Sequence, residues 1–440
     1  SIYSPGSPLL LPHGKRVANR LVDFLRRQYV RYGFEEVDTP TIYKKSLWER
    51  SGHLANYADD MFSVSSNKRS TSCCGGEHGK EAEDEGDYGL KPMNCPGHCL
   101  IFASETRSYA DLPIRYADFS PLHRNEASGT LSGLTRVRRF HQDDGHIFCR
   151  PSQVESEIRR TLGFVRFAYS VLKLGVSYRL VLSTRPTENF IGEESDWVRA
   201  EAALGRALDA SGMEWAVNEG DGAFYGPKID IIIKDSDGKE HQTATVQLDF
   251  QLPKRFGLEY NAPAPELEAR GETTTDLELL AEVGPVRPVL IHRAVLGSVE
   301  RLMALLIERY DGAWPFWLNP RQAAILTVND TPETLAWATK VKNLLEGHGG
   351  EEGLESGEVE AGMRQPNGLV VELDSRAITM GRKKALADEK GYGLLITVGS
   401  REVEAGTVSV AGQSLPGGKR VSMTPEELLA TMQKLVETFQ

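Results

Sequence analysis

Apolar positions recur at helical spacing over residues 13–32, where Val17, Leu21, Val22, Leu25 and Tyr29 share one face and Gly33 follows as a stop. Residues 34–37 read as a short strand running into Thr39-Pro40, and Pro40 ends the pairing because it has no amide to donate. Two later stretches have period two. Over 140–148, Phe140, Gln142, Asp144 and His146 point one way; over 245–250, Thr245, Gln247 and Asp249 oppose Val246, Leu248 and Phe250. Polar groups gathered on one side of a strand predict the floor of a site, not a core face. The last third predicts strand 323–328, helix 332–346, an acidic Gly-rich loop 347–362, strand 369–373, helix 379–388, strand 393–398 and a closing helix 425–438. That alternation predicts a small α/β layer with a mostly parallel sheet. Residues 65–87 have almost no apolar content and predict a flexible insertion, which makes Cys73, Cys74 and His78 exposed loop residues, not a metal site. Residues 259–283 form a second variable, acidic stretch.

A chain of 440 residues that is 40% hydrophobic can bury a large core and predicts two domains, with three as the alternative. It holds no apolar run long enough to cross a membrane, and Ser1-Ile-Tyr-Ser-Pro-Gly6 lacks a secretory layout. Either a removed transit peptide or a trimmed N-terminus fits the absence of Met at Ser1. The five cysteines are odd in number and follow no framework spacing, so free thiols in a reducing compartment are expected, apart from any bound to metal. The net charge of -11, from 51 basic and 62 acidic residues, leaves no global footprint for RNA. Local basic runs at 136–139, 159–160 and 382–384 remain candidates for backbone contacts.

No Gly-x-x-x-x-Gly-Lys-Ser/Thr loop occurs, and no Gly-x-Gly-x-x-Gly opens a helix after a strand, so a nucleotide must be held by other means. Phe119-Ser-Pro-Leu-His-Arg-Asn-Glu126 and Gly297-Ser-Val-Glu-Arg301, the latter heading an apolar helix, resemble motifs 2 and 3 of the class II aminoacyl-tRNA synthetases. The helix 13–32 with its strand and Pro40 resembles motif 1. Lys91-Pro-Met-Asn-Cys-Pro-Gly-His98, Phe140-His-Gln-Asp-Asp-Gly-His146, Gly222-Ala-Phe-Tyr-Gly-Pro-Lys228, Val246-Gln-Leu-Asp-Phe250 and Ile291-His-Arg-Ala-Val-Leu-Gly-Ser298 are similar to the threonyl branch of that family. Tyr57-Ala-Asp-Asp-Met-Phe62 and Trp314-Pro-Phe-Trp-Leu-Asn-Pro320 resemble its fungal mitochondrial members. The resemblance covers nearly the whole chain.

It implies an α/β protein: an α+β catalytic domain (1–317) on the class II antiparallel sheet with flanking helices, and a smaller α/β anticodon-binding domain (318–440). It further implies ATP-dependent ligation of L-threonine to tRNA(Thr) through a threonyl-adenylate, in a homodimer joined through the motif 1 region. The mitochondrial matrix is the implied compartment, with the cytoplasm as the alternative. Planar guanidinium groups suit both phosphate and adenine. Arg124 should grip the α-phosphate, and Arg301 should reach the γ-phosphate or stack on adenine, with Arg136 as the third arginine. Glu126 should take the adenine amino group or the Mg2+ that accompanies ATP, with Phe140 and Gln247 also on the ATP side. Met93, Gln142, Asp144 and Tyr225 should contact threonine.

Spacing alone does not join Cys95, His146 and His292, since an isolated Cys or His is more often packing than ligand. The resemblance makes them the three protein ligands of one Zn2+ with room left for substrate. His98 is assigned to packing or hydrogen bonding. In the anticodon-binding domain Arg376 and Glu402 match the family, whereas Ala377 and Ile378 stand where Asn and Glu are frequent, and Ala411 where Arg is. Base readout should differ accordingly. The chain shows no residues for the editing domain that bacterial and cytosolic relatives carry. Two rival readings are a synthetase-like RNA-binding or regulatory module and a class II ligase for proline or serine. The joint presence of Arg124, Arg301, Cys95, His146 and His292 favours the threonine ligase over both.

Overall fold

The computed structural model describes residues 2–65, 88–174, 178–188, 190–235, 237–347, 366–415 and 418–440. The chain divides into two compact units, Ser1–Leu9 with Val22–Arg309, and Leu10–Leu21 with Tyr310–Gln440. The expected insertion, apart from Ser65, lies outside the described residues, and so does the acidic loop after Gly347. The three cysteines among the described residues, Cys95, Cys99 and Cys149, are free and buried.

The first unit carries an eight-stranded sheet: β1 (Glu35–Glu36), β2 (Ile114–Asp118), β3 (Asp144–Cys149), β4 (Tyr178–Ser183), β5 (Trp215–Asn218), β6 (Lys228–Lys234), β7 (Glu240–Asp249) and β8 (Val289–Ala294). Spatially the order is β1-β2-β3-β8-β7-β6-β4-β5. The inner pairs are antiparallel and the outermost pairs, β1 with β2 and β4 with β5, are parallel. Helix α1 (Pro12–Tyr32) stops at Gly33, whose φ of 72° is the left-handed value that glycine adopts without strain. Further principal helices are α2 (Cys95–Ala103), α3 (Val154–Val171), α4 (Glu194–Ser211) and α5 (Val299–Tyr310). Strand β8, central in the sheet, is buried at every residue.

The continuous strand expected over 140–148 is interrupted. Arg139–His141 pairs with Pro121–His123 in a separate two-stranded sheet, and β3 begins at Asp144. Asp143, between them, explains the break. Its Oδ2 accepts from Arg293 Nη1 at 2.9 Å and from the Val295 amide at 2.7 Å, and its Oδ1 accepts from the Leu296 amide at 2.9 Å. Those three bonds hold the residue away from any ladder of its own. Arg293 is 1% exposed and lies over the rings of Phe34, Tyr29 and Phe164 at 4.1, 4.8 and 5.5 Å. Its close approach to β3 requires Gly145, where a Cβ would come within 2.6 Å of Arg293 Nε.

The second unit holds a five-stranded sheet of β9 (Ala323–Thr327), β10 (Val371–Asp374), β11 (Leu394–Val398), β12 (Val408–Ala411) and β13 (Val421–Met423), ordered β10-β9-β11-β12-β13. β9 runs parallel to β10 and β11, but β12 and β13 are antiparallel, so the sheet is evenly mixed where a mostly parallel one was expected. The two added strands are three and four residues long, too short for a period-two pattern to mark them. Helices α6 (Pro332–Glu346), α7 (Met380–Lys390) and α8 (Pro425–Glu437) complete the layer, each with a Thr N-cap. Within the basic run 382–384, Lys383 is 2% exposed and donates to Thr327 O at 2.7 Å and Asp374 O at 3.2 Å. It is an internal tie of this domain and not available to an RNA backbone.

Removing one partner of a buried ion pair leaves the other charge unpaired, at a cost of about 3–5 kcal/mol. Asp143→Ala should therefore lower the stability of the first unit by about that much, measured as a denaturant midpoint shift at unchanged m-value. A change within experimental error would mean that the aromatic cage alone sustains Arg293.

Candidate active site

Register brings the distant candidates together. His292 of β8 lies opposite His146 of β3 and, on its other side, opposite Gln247 of β7, while Asp144 lies opposite Asp118 of β2. Cys95 opens helix α2. The donor atoms of Cys95, His146 and His292 all lie within 4.8 Å of one another and all three residues are buried, the one such group among the described residues. His146 Nε2 faces His292 Nδ1 at 2.9 Å. The remaining ring nitrogens are occupied: His146 Nδ1 lies 2.8 Å from His98 Nδ1, and His292 Nε2 lies 2.9 Å from Asp249 Oδ2. Two bare nitrogen lone pairs at such a distance repel unless a proton or a cation stands between them. A sulfur and two imidazole nitrogens converging in this way fit zinc. Burial, with Asp144 nearby, pushes the Cys95 thiol well up, and burial with His98 and His292 alongside keeps His146 neutral.

One cavity of about 460 Å³ extends from these donors. Its wall includes Met93, Arg124, Glu126, Arg136, Phe140, Gln142, Asp144, Tyr225, Gln247 and Arg301, so every candidate named for threonine, ATP or metal faces the same space. Asp144 Oδ2 accepts from the Asn94 amide at 3.3 Å, and burial pushes its carboxyl up. Tyr225 lies 4.9 Å from the His292 ring and donates to Gln247 Oε1. Arg124 sits 5.0 Å over Phe140 and reaches Pro92 O at 3.4 Å. Arg301 donates to Thr135 O at 2.9 Å and Gln242 O at 2.7 Å. Because these partners are carbonyls and aromatic faces, neither Arg124 nor Arg301 has its charge cancelled by a carboxylate among the described residues. Burial, then repulsion from Arg124 and Arg136, lowers the Arg301 pKa, as clustered like charges in an enclosed site do. Arg136 alone of the three is paired, with Glu126 at 2.7 Å. Gly297 makes the entry to α5 possible, since a Cβ there would fall 2.1 Å from Thr243 O.

The sequence reading passed over several residues on this wall. Lys228 lies 3.0 Å from Asp230 Oδ2, and Tyr57, Gln242 and Ser298 also line the cavity. Lys228 ends the Gly222–Lys228 run, and that position was the available signal. His53, fully buried beside the cluster, bonds Ser51 Oγ at 2.8 Å and lies 3.8 Å from Cys95 Sγ; burial lowers its pKa to about 3. Nothing local in Ser51-Gly-His53 marks it. In the second unit Arg376 is tied to Asp374 at 2.7 Å, and Glu402 accepts from the Gly399 amide at 3.0 Å as a helix cap.

Residues 79–269 match the tRNA synthetase class II core domain (G, H, P, S and T), and residues 322–435 match the anticodon binding domain. The probable mitochondrial threonine–tRNA ligase of Schizosaccharomyces pombe is 48% identical over 416 residues, 94% of this chain and 81% of that protein. The chain belongs to the threonyl-tRNA synthetases, the class II threonine–tRNA ligases. The mitochondrial threonine–tRNA ligase of Saccharomyces cerevisiae is 46% identical, covering 91% of this chain and 81% of its own. A probable cytoplasmic enzyme of Dictyostelium discoideum is 43% identical over the full chain and 53% of its own length, so similarity spans both compartments. Among solved structures, the RNA binding domain of a Cryptosporidium parvum threonyl-tRNA synthetase superposes with a TM-score of 0.80 at 40% identity, over 98% of this chain and 94% of that one. As a class II ligase the protein acts on tRNA, ATP with Mg2+, and an amino acid. Among the described residues no helix is long and apolar enough to cross a membrane.

A hydrogen bond to a charged group contributes about 1.5–3 kcal/mol. If Arg301 reaches a phosphate of ATP, as the resemblance implies, Arg301→Ala should weaken ATP binding roughly 10- to 100-fold while moving the threonine KM little, which calorimetry and ATP–pyrophosphate exchange would measure. Equal loss for both substrates would show that Arg301 shapes the whole cavity instead of its anion end.

Proposed function

We propose that the enzyme joins L-threonine to tRNA(Thr) in this cavity through threonyl-adenylate. The observation that carries the reading is the sharing of one wall by the three-donor cluster and by two arginines that have no carboxylate partner among the described residues. Arg124 holds the α-phosphate of MgATP beside the threonine carboxylate. A carboxylate oxygen attacks the α-phosphorus, the bond to the bridging oxygen breaks, and pyrophosphate leaves. Arg124 stabilises the charge that builds on the phosphoryl oxygens. Arg301 and Arg136 hold the distal phosphates or the adenine face, and Glu126 takes the adenine amino group or Mg2+. The terminal ribose hydroxyl of tRNA then attacks the carbonyl carbon of the adenylate, and AMP departs.

Cys95, His146 and His292 would hold Zn2+, which when bound would supply a Lewis-acid centre with room for the amino nitrogen and side-chain hydroxyl of threonine. Asp144 accepts the hydroxyl proton's hydrogen bond, Gln142 and Met93 flank the side chain, and Tyr225, braced by Gln247, covers it. An apolar pocket cannot separate a hydroxyl from a methyl strongly, whereas valine offers this site no second donor atom. Arg376 and Glu402 contribute to the anticodon surface, with 1–317 and 318–440 as catalytic and anticodon-binding domains. A homodimer through α1 and β1 fits Val30, 83% exposed on α1; light scattering tests it. The two fungal relatives support the mitochondrial matrix over the cytoplasm, and imaging of the tagged full-length protein tests that.

Elemental analysis should find one zinc per chain, unchanged when Cys73 and Cys74 are both replaced by Ser. Arg124→Ala should abolish ATP–pyrophosphate exchange while leaving the fold intact; near-normal exchange would overturn the catalytic assignment. Serine keeps both donor atoms and lacks one methyl, a difference of about 1–3 kcal/mol or roughly 10–200-fold. Exchange assays should therefore show measurable seryl-adenylate formation and far stronger rejection of valine. If serine and valine were rejected alike, a contact sensing the methyl would have to replace the two-donor account.

A further inference from the structure

Behind the donor cluster the side chains form a line with no evident part in binding substrate. His98 is fully buried; its Nδ1 contacts His146 Nδ1 at 2.8 Å, and its Nε2, without a hydrogen-bond partner among the described residues, faces Asp118 Oδ2 at 3.8 Å. Asp118, 1% exposed, is itself fixed on every side. Oδ2 accepts from the Thr39 hydroxyl at 2.7 Å and the Thr39 amide at 3.1 Å, Oδ1 accepts from the Ser120 amide at 2.6 Å, and Lys91 Nζ lies 3.7 Å away. A carboxylate so held is an acceptor that cannot turn away.

Two proton arrangements are open to this line. In one, His98 carries its proton on Nδ1 and donates it to His146, so that the His146 proton sits on Nε2 and points at His292. That arrangement fills the gap between the two histidines with a hydrogen bond and leaves His146 no lone pair for a metal. It also leaves the bare His98 Nε2 lone pair facing the Asp118 carboxylate, two acceptors in a buried space. In the other, His98 carries its proton on Nε2, toward Asp118, and accepts from His146 Nδ1. His146 Nε2 is then bare and directed at the donor cluster. Asp249 does the same for His292 by accepting from its Nε2, which leaves Nδ1 bare. Groups that orient a metal-bound imidazole in this way commonly change metal affinity 10- to 100-fold.

We propose that His98 and Asp118 are positioning residues that set the His146 tautomer, so that its Nε2 is presented to the metal. The inference rests on the zinc reading above and assigns the pair no contact with substrate. In the zinc-loaded enzyme labelled with 15N-histidine, His98 should carry its proton on Nε2 and His146 on Nδ1; a proton on His98 Nδ1 would overturn the proposal without any mutation. His98→Ala should release zinc to a competing chelator about 10- to 100-fold more readily, His98→Asn should recover part of that through its amide oxygen, and Asp118→Asn should resemble His98→Ala. With zinc in excess, the threonine KM should rise in His98→Ala while the ATP KM stays put. If His98→Ala and Asp118→Asn both retain zinc within about threefold of the parent, the relay has no role although the metal site stands. If the parent enzyme binds no zinc, the metal reading itself fails.

Discussion

The Asp143 carboxylate points away from the cavity and ties the start of β3 to the end of β8 and to the two amides that follow it. Everything on the cavity side depends on that anchor. It fixes which residues of the 140–146 run face inward, and it seats Arg293, whose neighbour His292 stands opposite His146. It also fixes where the chain turns at Gly297 into α5, and hence where Arg301 emerges. The arrangement has an electrostatic cost. Burial lifts the Asp143 carboxyl to about 6 despite the Arg293 charge and two amide donors. Two Arg293 nitrogens find aromatic faces in place of hydrogen bonds among the described residues. A charge pair so placed serves registration more than stability.

On the other side of the sheet the polarity logic reverses. Arg124 and Arg301 are oriented by carbonyl oxygens and a phenyl ring, groups that direct a guanidinium without neutralising it. Positive potential is therefore concentrated in the cavity of a chain whose net charge is -11. An acidic chain and a cationic cavity wall are compatible because the field near a low-dielectric cleft is set by the charges lining it. The donor cluster at the other part of the same wall follows a similar rule, with His98 against the far nitrogen of His146 and Asp249 against that of His292.

Much of this was legible in the chain. Period two over 245–250 assigned Thr245, Gln247 and Asp249 to one side, and all three act there: two line the cavity and Asp249 holds His292. Helix 13–32 and its Gly33 stop were visible because amphipathic spacing and a left-handed terminus are local properties. Over 140–148 the inward-facing set was right, since Phe140, Gln142, Asp144 and His146 all line the cavity, but the strand was not continuous. Asp143 breaks it through partners about 150 positions away, which no window of neighbours contains. The second sheet was misjudged for a plainer reason, strands too short to carry a pattern. Lys383, read as part of a basic surface run, proved internal for the same lack of context.

What the sequence determined by itself is the inventory: helices and strands of sufficient length, the absence of a phosphate loop, and motif runs specific enough to name a family. Each depends on residues within a few positions of one another, or on side-chain chemistry that needs no neighbour. The tertiary structure supplied the distances at which Cys95, His146 and His292 meet, which the family resemblance had only implied. It alone decided the freedom of Arg124 and Arg301 from carboxylates among the described residues and the burial of His53 and His98 behind the cluster. Those are distances between residues separated by up to about two hundred positions. They are set by strand register and by buried polar partners, quantities that arise when antiparallel strands pair and that no linear spacing encodes.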